Sequence, residues 1–457
     1  MNVIGISGLS NSIAFKKQRF PNLSQRQYNI AQGFDSAAAL VRGNDVIAAA
    51  AEERFTREKA TGAFPANAIR YCLTTGALKP EQVDFVAHGF SYEPHKASFQ
   101  ADDFSRGQYE EVFAPANQVK LLSQHFPGTH WQKKFVPVPH HLAHAASAFY
   151  LSGYDESLIL TSDGMGEVQS ATVALGKGND ITVLAEIPAF HSLGALYGVF
   201  TLYLGFYMNS DEYKVMGLAP YGNSRRFFND IMEFVALKND GTYTLPVFAN
   251  NQTVEERETH SGVLRLLTEK FGPAREPEAE ITQTHKDLAA SLQSVLQTCQ
   301  LHLLRHFKRQ TGQRNLCMAG GVALNCSGNG LIKRSELFDR VFVQQHLDFI
   351  LPAFPSAGVL TARKVGDQMA SARGIGRRRH DVGRLPPPHE PRVRPQRFEA
   401  QIVLGEMTIE HAHEGVGIAR RQIVDRSREH DGVAIGGEVH RVGAQHVVVV
   451  RVGAGTE

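Results

Sequence analysis

The chain has 457 residues, enough for two or three domains that each bury a core. Its net charge is only +2 and no lysine/arginine stripe interleaves with aromatics, which leaves little electrostatic case for nucleic acid as the main partner. No apolar run reaches the ~20 residues of a membrane span, and Cys72, Cys299, Cys317 and Cys326 lack the close pairing of a zinc knuckle or disulfide scaffold.

The first element, Val3–Ser7, reads as a strand without the basic region and cleavage site of a signal peptide, so a reducing cytoplasm is the expected compartment. It runs into a glycine turn, Gly5-Ile-Ser-Gly-Leu-Ser-Asn11, and a polar segment up to Gly33. Strands follow at Ala37–Arg42, Val46–Ala51, Val83–Gly89 and Phe135–Pro137, with a helix at Pro65–Thr75. Next come a helix at His141–Leu151 and strands at Ser157–Ser162, Val168–Gly176 and Ile181–Ile187. Helices at Leu196–Leu204, Arg225–Ala236 and His285–Lys308 lead to strands at Asn315–Met318 and Val341–Val343. Strand, glycine turn, strand, strand occurs at Val3–Glu53 and again at Ser157–Ile187, which points to a duplicated α/β domain with a cleft between its halves.

Composition changes near residue 345. Before it lysine and arginine number 15 and 17; from His346 onward there are 15 arginines and one lysine, and no Asn, Tyr, Trp or Cys. One account is a basic, disordered, anion-binding arm. The other is a lost reading frame or foreign sequence joined after Gln345, and the joint disappearance of residues with AT-rich codons favours it. Val447–Val450 would be an aggregation hazard in an unfolded tail.

The sharpest chemical signal is His140-His-Leu-Ala-His144, followed by Asp163 in Thr-Ser-Asp-Gly-Met-Gly-Glu. On a helix His140 and His144 stand one turn apart on one face. An arbitrary pair of this spacing is more often a surface or core pair. Here the pair opens a helix after one strand and Asp163 ends the next, and functional groups of α/β folds gather at the carboxyl ends of strands. Two imidazoles and a carboxylate leave coordination positions open, as in a catalytic metal site. A third element, Met318-Ala-Gly-Gly-Val-Ala-Leu-Asn-Cys326, takes a strand through Gly320 and Gly321 into a helix, the pattern of a nucleotide-binding turn. In Asp211-Glu-Tyr-Lys-Val-Met-Gly-Leu-Ala-Pro-Tyr-Gly222, Glu212 and Lys214 must pair with each other, a ligand or water.

Together with Ala50-Ala-Glu-Glu-Arg-Phe-Thr-Arg57 and Phe64-Pro-Ala-Asn-Ala-Ile69, these motifs resemble the carbamoyltransferases of the nodulation-factor and antibiotic-tailoring type, over residues 1 to about 345. The resemblance implies a duplicated actin-like (ribonuclease-H-like) ATPase fold, with halves at 1–155 and 156–345, incomplete at its carboxyl end and followed by an atypical low-order tail at 346–457. It implies carbamoyl transfer from carbamoyl-adenylate, made from ATP and carbamoyl phosphate, to a hydroxyl of a sugar, nodulation factor or antibiotic-like acceptor. His140, His144 and Asp163 would hold the metal, iron in the family, with zinc equally compatible with the ligand set. Gly320, Gly321, Asn325, Asp35, Ser36 and Gly164 would face the nucleotide, and Glu212 and Lys214 would shape the cleft. No residue is singled out as the catalytic base.

Two departures stand out. Phe34 occupies a position where many members have histidine, which leaves any phosphate contact there to Asp35 or Ser36. Beyond Gln345 the family's Asp-Gly segment and adenylate-forming domain are unrecognisable, and Asp348 is a poor substitute. The expectation is therefore a truncated or frame-shifted carbamoyltransferase, impaired in making its own adenylate. A non-catalytic remnant and a relative of the tRNA threonylcarbamoyl transferases are the competing expectations.

Overall fold

The computed structural model describes residues 1–344 apart from Asn44, and the backbone of 435–442 and 445–452. The tail readings that fall between 345 and 434, Asp348 included, lie outside these residues.

The apolar run Val3-Ile-Gly-Ile6 makes strand β1 (Asn2–Ile6) the buried centre of a five-stranded sheet. β2 (Ala37–Arg42) pairs with it antiparallel, and β3 (Asp45–Ala51) pairs antiparallel with β2. β4 (Phe85–His88) and β5 (Phe135–Pro137) extend the other side in parallel, giving the order β3-β2-β1-β4-β5. The same plan is then repeated. β6 (Glu156–Ser162) pairs antiparallel with β7 (Gln169–Lys177), and β7 with β8 (Asp180–Pro188). A small hairpin, β9 (Ala236–Leu237) and β10 (Tyr243–Thr244), lies in the long insertion before β11 (Asn315–Ala319) and β12 (Arg340–Val343), which add in parallel beside β6. Read from β8 the second order is β8-β7-β6-β11-β12, three antiparallel strands and then two parallel ones, as in the first sheet. This duplicated topology is the actin-like, ribonuclease-H-like fold.

The helix His140–Leu151 joins the halves. Ala143 and Ala146 pack with Val3, Ala39, Val41 and Ala87 of the first sheet. Ala145, Ala148 and Phe149 pack with Ile159, Ala174, Cys317 and Ala319 of the second. Alanines on both faces let two sheets approach one helix closely, and a Cβ at Gly176 would stand 2.6 Å from the Phe149 ring. Burying a side chain such as Phe149, which is 1% exposed, contributes about 2–3 kcal/mol.

The helix Leu193–Tyr203, apolar on all sides, and the long helix Gln283–Thr311 build the larger core of the second half. The sequence-predicted helix at Arg225–Ala236 contracts to Phe228–Met232. Its flanks hold the turn at Asn223, whose amide donates to Asp287, and the start of β9. The polar segment between β1 and β2 folds into helices Ser12–Arg19 and Gln25–Tyr28, which periodicity alone did not reveal.

The backbone of β13 (Ile435–Val442) and β14 (Gln445–Val452), which contains Val447–Val450, forms an antiparallel hairpin. Among the described residues no helix is long and apolar enough to cross a membrane.

Candidate metal and nucleotide site

The carboxyl ends of β5 and β6 bring the histidine pair and Asp163 to one place. His140 Nε2 lies 2.9 Å from Asp163 Oδ2, His144 Nε2 lies 3.1 Å from the same oxygen, and the two nitrogens are 3.1 Å apart. One ligand atom from each residue therefore falls within 4.8 Å of the others. His140 Nδ1 donates to the Gly89 carbonyl at 2.9 Å, which fixes the tautomer and leaves the Nε2 lone pair facing the cluster. Its ring stacks on Phe90 with centroids 4.3 Å apart and planes 3° from parallel. A cavity of about 30 Å³, lined by Ser7, Gly89, Phe90, His140, Ala143 and His144, adjoins the cluster and is large enough for one water or ion. Donor types, convergence and a preset tautomer all fit a divalent transition metal.

Burial opposes charge on Asp163, but the adjoining imidazoles of His140 and His144 hold its carboxyl well below the usual carboxylate range. Its other oxygen, Oδ1, accepts the amides of Gly164 at 2.7 Å and Gly321 at 3.2 Å. The Gly320-Gly321 turn thus abuts the His140–His144–Asp163 cluster directly. Gly320 has φ +91°, and a Cβ there would stand 2.4 Å from the Ser162 carbonyl oxygen. His141, between His140 and His144, points elsewhere: Nδ1 lies 2.7 Å from Thr172 Oγ1, and burial pushes its pKa down to about 3.

The other sequence-predicted residues divide. Asp35 is exposed with φ +58°, and its carbonyl accepts Ser7 Oγ, which ties it to the cavity lining. Ser36 is fully buried beneath the first glycine turn, 2.6 Å from where a Gly8 Cβ would stand, and its Oγ has no hydrogen-bond partner among the described residues. Asn325 is committed to the protein: Oδ1 accepts from Gly328 N at 2.8 Å, capping the helix Cys326–Arg334, and the amide pairs reciprocally with Gln293. Glu212 and Lys214 do not pair with each other. Glu212 accepts the Asn209 amide at 2.7 Å, and burial raises its pKa. Lys214 pairs with Asp211 at 2.9 Å.

Glu167 was not foreseen. It ends the Asp163 turn, is 6% exposed and accepts backbone amides from Ser91 and His140. An acidic residue four positions after Asp163 in a glycine turn was the available signal.

Similarity to known proteins agrees with this architecture. The chain is 36% identical over 331 residues to the uncharacterized protein sll1178 of Synechocystis, covering 68% of this chain and 52% of that protein. It is 34% identical over 362 residues to nodulation protein NolNO of Sinorhizobium fredii, covering 75% and 47%, and 40% identical over 212 residues to nodulation protein NolO of Bradyrhizobium diazoefficiens, covering 45% and 35%. The chain spans about half the length of the first two relatives. The carbamoyltransferase N-terminus family matches residues 30–348, a segment that contains His140, His144, Asp163 and the Gly320-Gly321 turn. The chain belongs to the carbamoyltransferase family.

Proposed function

We propose that the described residues carry out the transfer half of a carbamoylation, moving the carbamoyl group of carbamoyl-adenylate to a hydroxyl of a sugar, nodulation factor or antibiotic-like acceptor. The observation that carries the reading is the contact between the two sites: the Gly321 amide and the two imidazoles share one carboxylate, Asp163. A nucleotide held at the glycine turn would place its acyl phosphate beside the histidine cluster.

In the reaction the acceptor oxygen forms a bond to the carbamoyl carbon, the carbon–oxygen bond to phosphate breaks, and AMP departs with the bonding pair as the hydroxyl proton leaves. His140, His144 and Asp163 would hold the metal, iron by family and zinc by equal fit. Once bound, the ion would supply Lewis-acid polarisation of the carbamoyl or a phosphoryl oxygen. Gly164, Gly320 and Gly321 permit close backbone approach to the nucleotide, while Asp35 and Ser36 line the opposite turn. Asn325 supports the turn by capping the helix behind it. Adenylate formation from ATP and carbamoyl phosphate is assigned outside residues 1–344, in line with a family match confined to the amino-terminal region of carbamoyltransferases.

The test supplies the full chain with preformed, radiolabelled carbamoyl-adenylate and a panel of sugar and aminoglycoside hydroxyl acceptors. AMP release coupled to labelled carbamate ester is expected, with loss of transfer in His144→Ala. Absence of label on every acceptor while the adenylate remains intact would overturn the reading. With ATP and carbamoyl phosphate in place of the adenylate, little pyrophosphate release is expected.

A further inference from the structure

The metal-facing groups come from different halves. His140 and His144 stand on a helix that follows the first sheet, and Asp163 ends the first strand of the second. Their spacing therefore depends on something that fixes one half against the other at that point. The start of the His140–Leu151 helix offers little of its own, because its N-cap is Pro139, with no side-chain cap hydrogen bond. The first amides of a helix need acceptors from elsewhere.

Glu167 supplies one. Its Oε1 accepts His140 N at 2.9 Å and Ser91 N at 2.6 Å, and Oε2 lies 3.2 Å from His140 N. Ser91 continues the loop containing Gly89, the acceptor of the His140 Nδ1 proton, and Phe90, on which the His140 ring stacks. One buried carboxylate thus holds both the helix start and the loop that orients its first ring. A third tie from the first half, Gln32, donates to the carbonyls of Met165 and Gly166, at 2.8 Å each, in the same turn.

We propose that Glu167 is a positioning residue for the metal-ligand set: anchored in the turn that carries Asp163, it grips the backbone of His140 and Ser91 and so sets the distance between the imidazoles of one half and the carboxylate of the other. The proposal rests on the reading that His140, His144 and Asp163 hold a metal. Glu167 is not among the residues whose ligand atoms converge. Its role is exerted through backbone amides, which is why a glutamine that keeps Oε1 should serve partly and an alanine should not.

The experiment titrates the metal-free full chain with Co²⁺ and follows visible absorption. Affinity is expected to fall in the order wild type, Glu167→Gln, Glu167→Ala, with the alanine variant about 10- to 100-fold weaker, as for other groups that orient metal ligands. In the metal-free protein, amide hydrogen exchange at Ser91 and His140 is expected to quicken in Glu167→Ala while the far-ultraviolet circular dichroism is retained. Wild-type Co²⁺ affinity in Glu167→Ala, or equal weakening in both variants, would overturn the proposal and leave the metal reading standing. Should the alanine variant fail to fold, Glu167→Gln decides, and wild-type affinity there overturns it. Absence of Co²⁺ binding by the wild type would instead overturn the metal reading, and this inference with it.

Discussion

The Gly321 amide donates at 3.2 Å to Asp163 Oδ1, the oxygen opposite the one that faces His140 and His144. The glycine turn and the histidine cluster therefore share a single carboxylate, and a change at one should be felt at the other. A Cβ at residue 321 would stand 2.9 Å from Asp163 Oδ1, a distance that forces the carboxylate to shift. Gly321→Ala is expected to weaken metal binding about tenfold with little loss of thermal stability. Gly217→Ala, where an added Cβ meets nothing within 4 Å, is the control. Metal titration of both variants checks this, and equal affinities would remove the coupling.

Removing a ligand should be more severe than disturbing its support. His144 lies only 3.1 Å from both Asp163 Oδ2 and His140 Nε2, and its side chain is 4% exposed. His144→Ala is expected to lower metal affinity by more than about 100-fold, beyond the range for groups that merely orient ligands. His141→Ala is expected to leave metal content near wild type, because that ring faces Thr172. Metal analysis after dialysis separates them, and retained occupancy in His144→Ala would refute the ligand role.

Much of this was legible in the sequence, for identifiable reasons. β1, β2 and β6 carry short apolar runs bounded by turn residues, and their assignments agree with the structure to within a residue. The histidine pair was legible because its four-residue spacing survives any reasonable choice of helix ends. What the sequence does not record is which distant backbone a side chain serves. Glu167 and the Ser91 amide are separated by 76 positions, and Asp163 and Gly321 by 158. Of the three partners open to Glu212 and Lys214 (each other, a ligand or water), the first is ruled out for a local reason: the helix Glu212–Leu218 begins between Asp211 and Glu212, leaving Asp211 three residues from Lys214. Asn325 illustrates the converse, since a polar residue after Gly-Gly reads as ligand-facing until its cap and its Gln293 pairing are seen.

Acid should destabilise the first half through His88. This ring is 3% exposed, and burial pushes its pKa from 6.5 down to about 4, although a contact with the Gly8 carbonyl at 3.0 Å works the other way. The unfolded chain then binds a proton between pH 6.5 and about 4 that the folded chain does not. Its contribution is fully present above pH 6.5 and is lost as pH falls toward 4, by about 3 kcal/mol in all. His88→Asn, which cannot take up that proton, is expected to flatten the pH dependence of urea unfolding over this window. An unchanged slope would exclude His88 as its source.

The segment between β1 and β2 works as a strap across the two halves, and Lys16 is its deepest anchor. Its Nζ is buried and donates at 2.5 Å to the carbonyls of Ile30 and Glu258, with the Glu258 carboxylate 3.6 Å away. Arg26 grips the carbonyls of Leu202 and Phe206, and Asn209 donates to Asn29 and Ala31. Burial lowers the Lys16 pKa, so the charge is costly there and is retained through these acceptors. Lys16→Met would leave two carbonyls and a largely buried carboxylate without their cation, a loss of about 3 kcal/mol. Because the strap touches the second half through such polar anchors and one apolar contact, Ile30 against Leu202 and Met208, cleavage should also become faster within residues 11–33 before global unfolding. Limited proteolysis with mass mapping, beside urea unfolding, tests both parts. A Lys16→Met protein as stable as wild type, with cleavage sites unchanged, would show that Arg26 and Asn209 suffice to hold the strap.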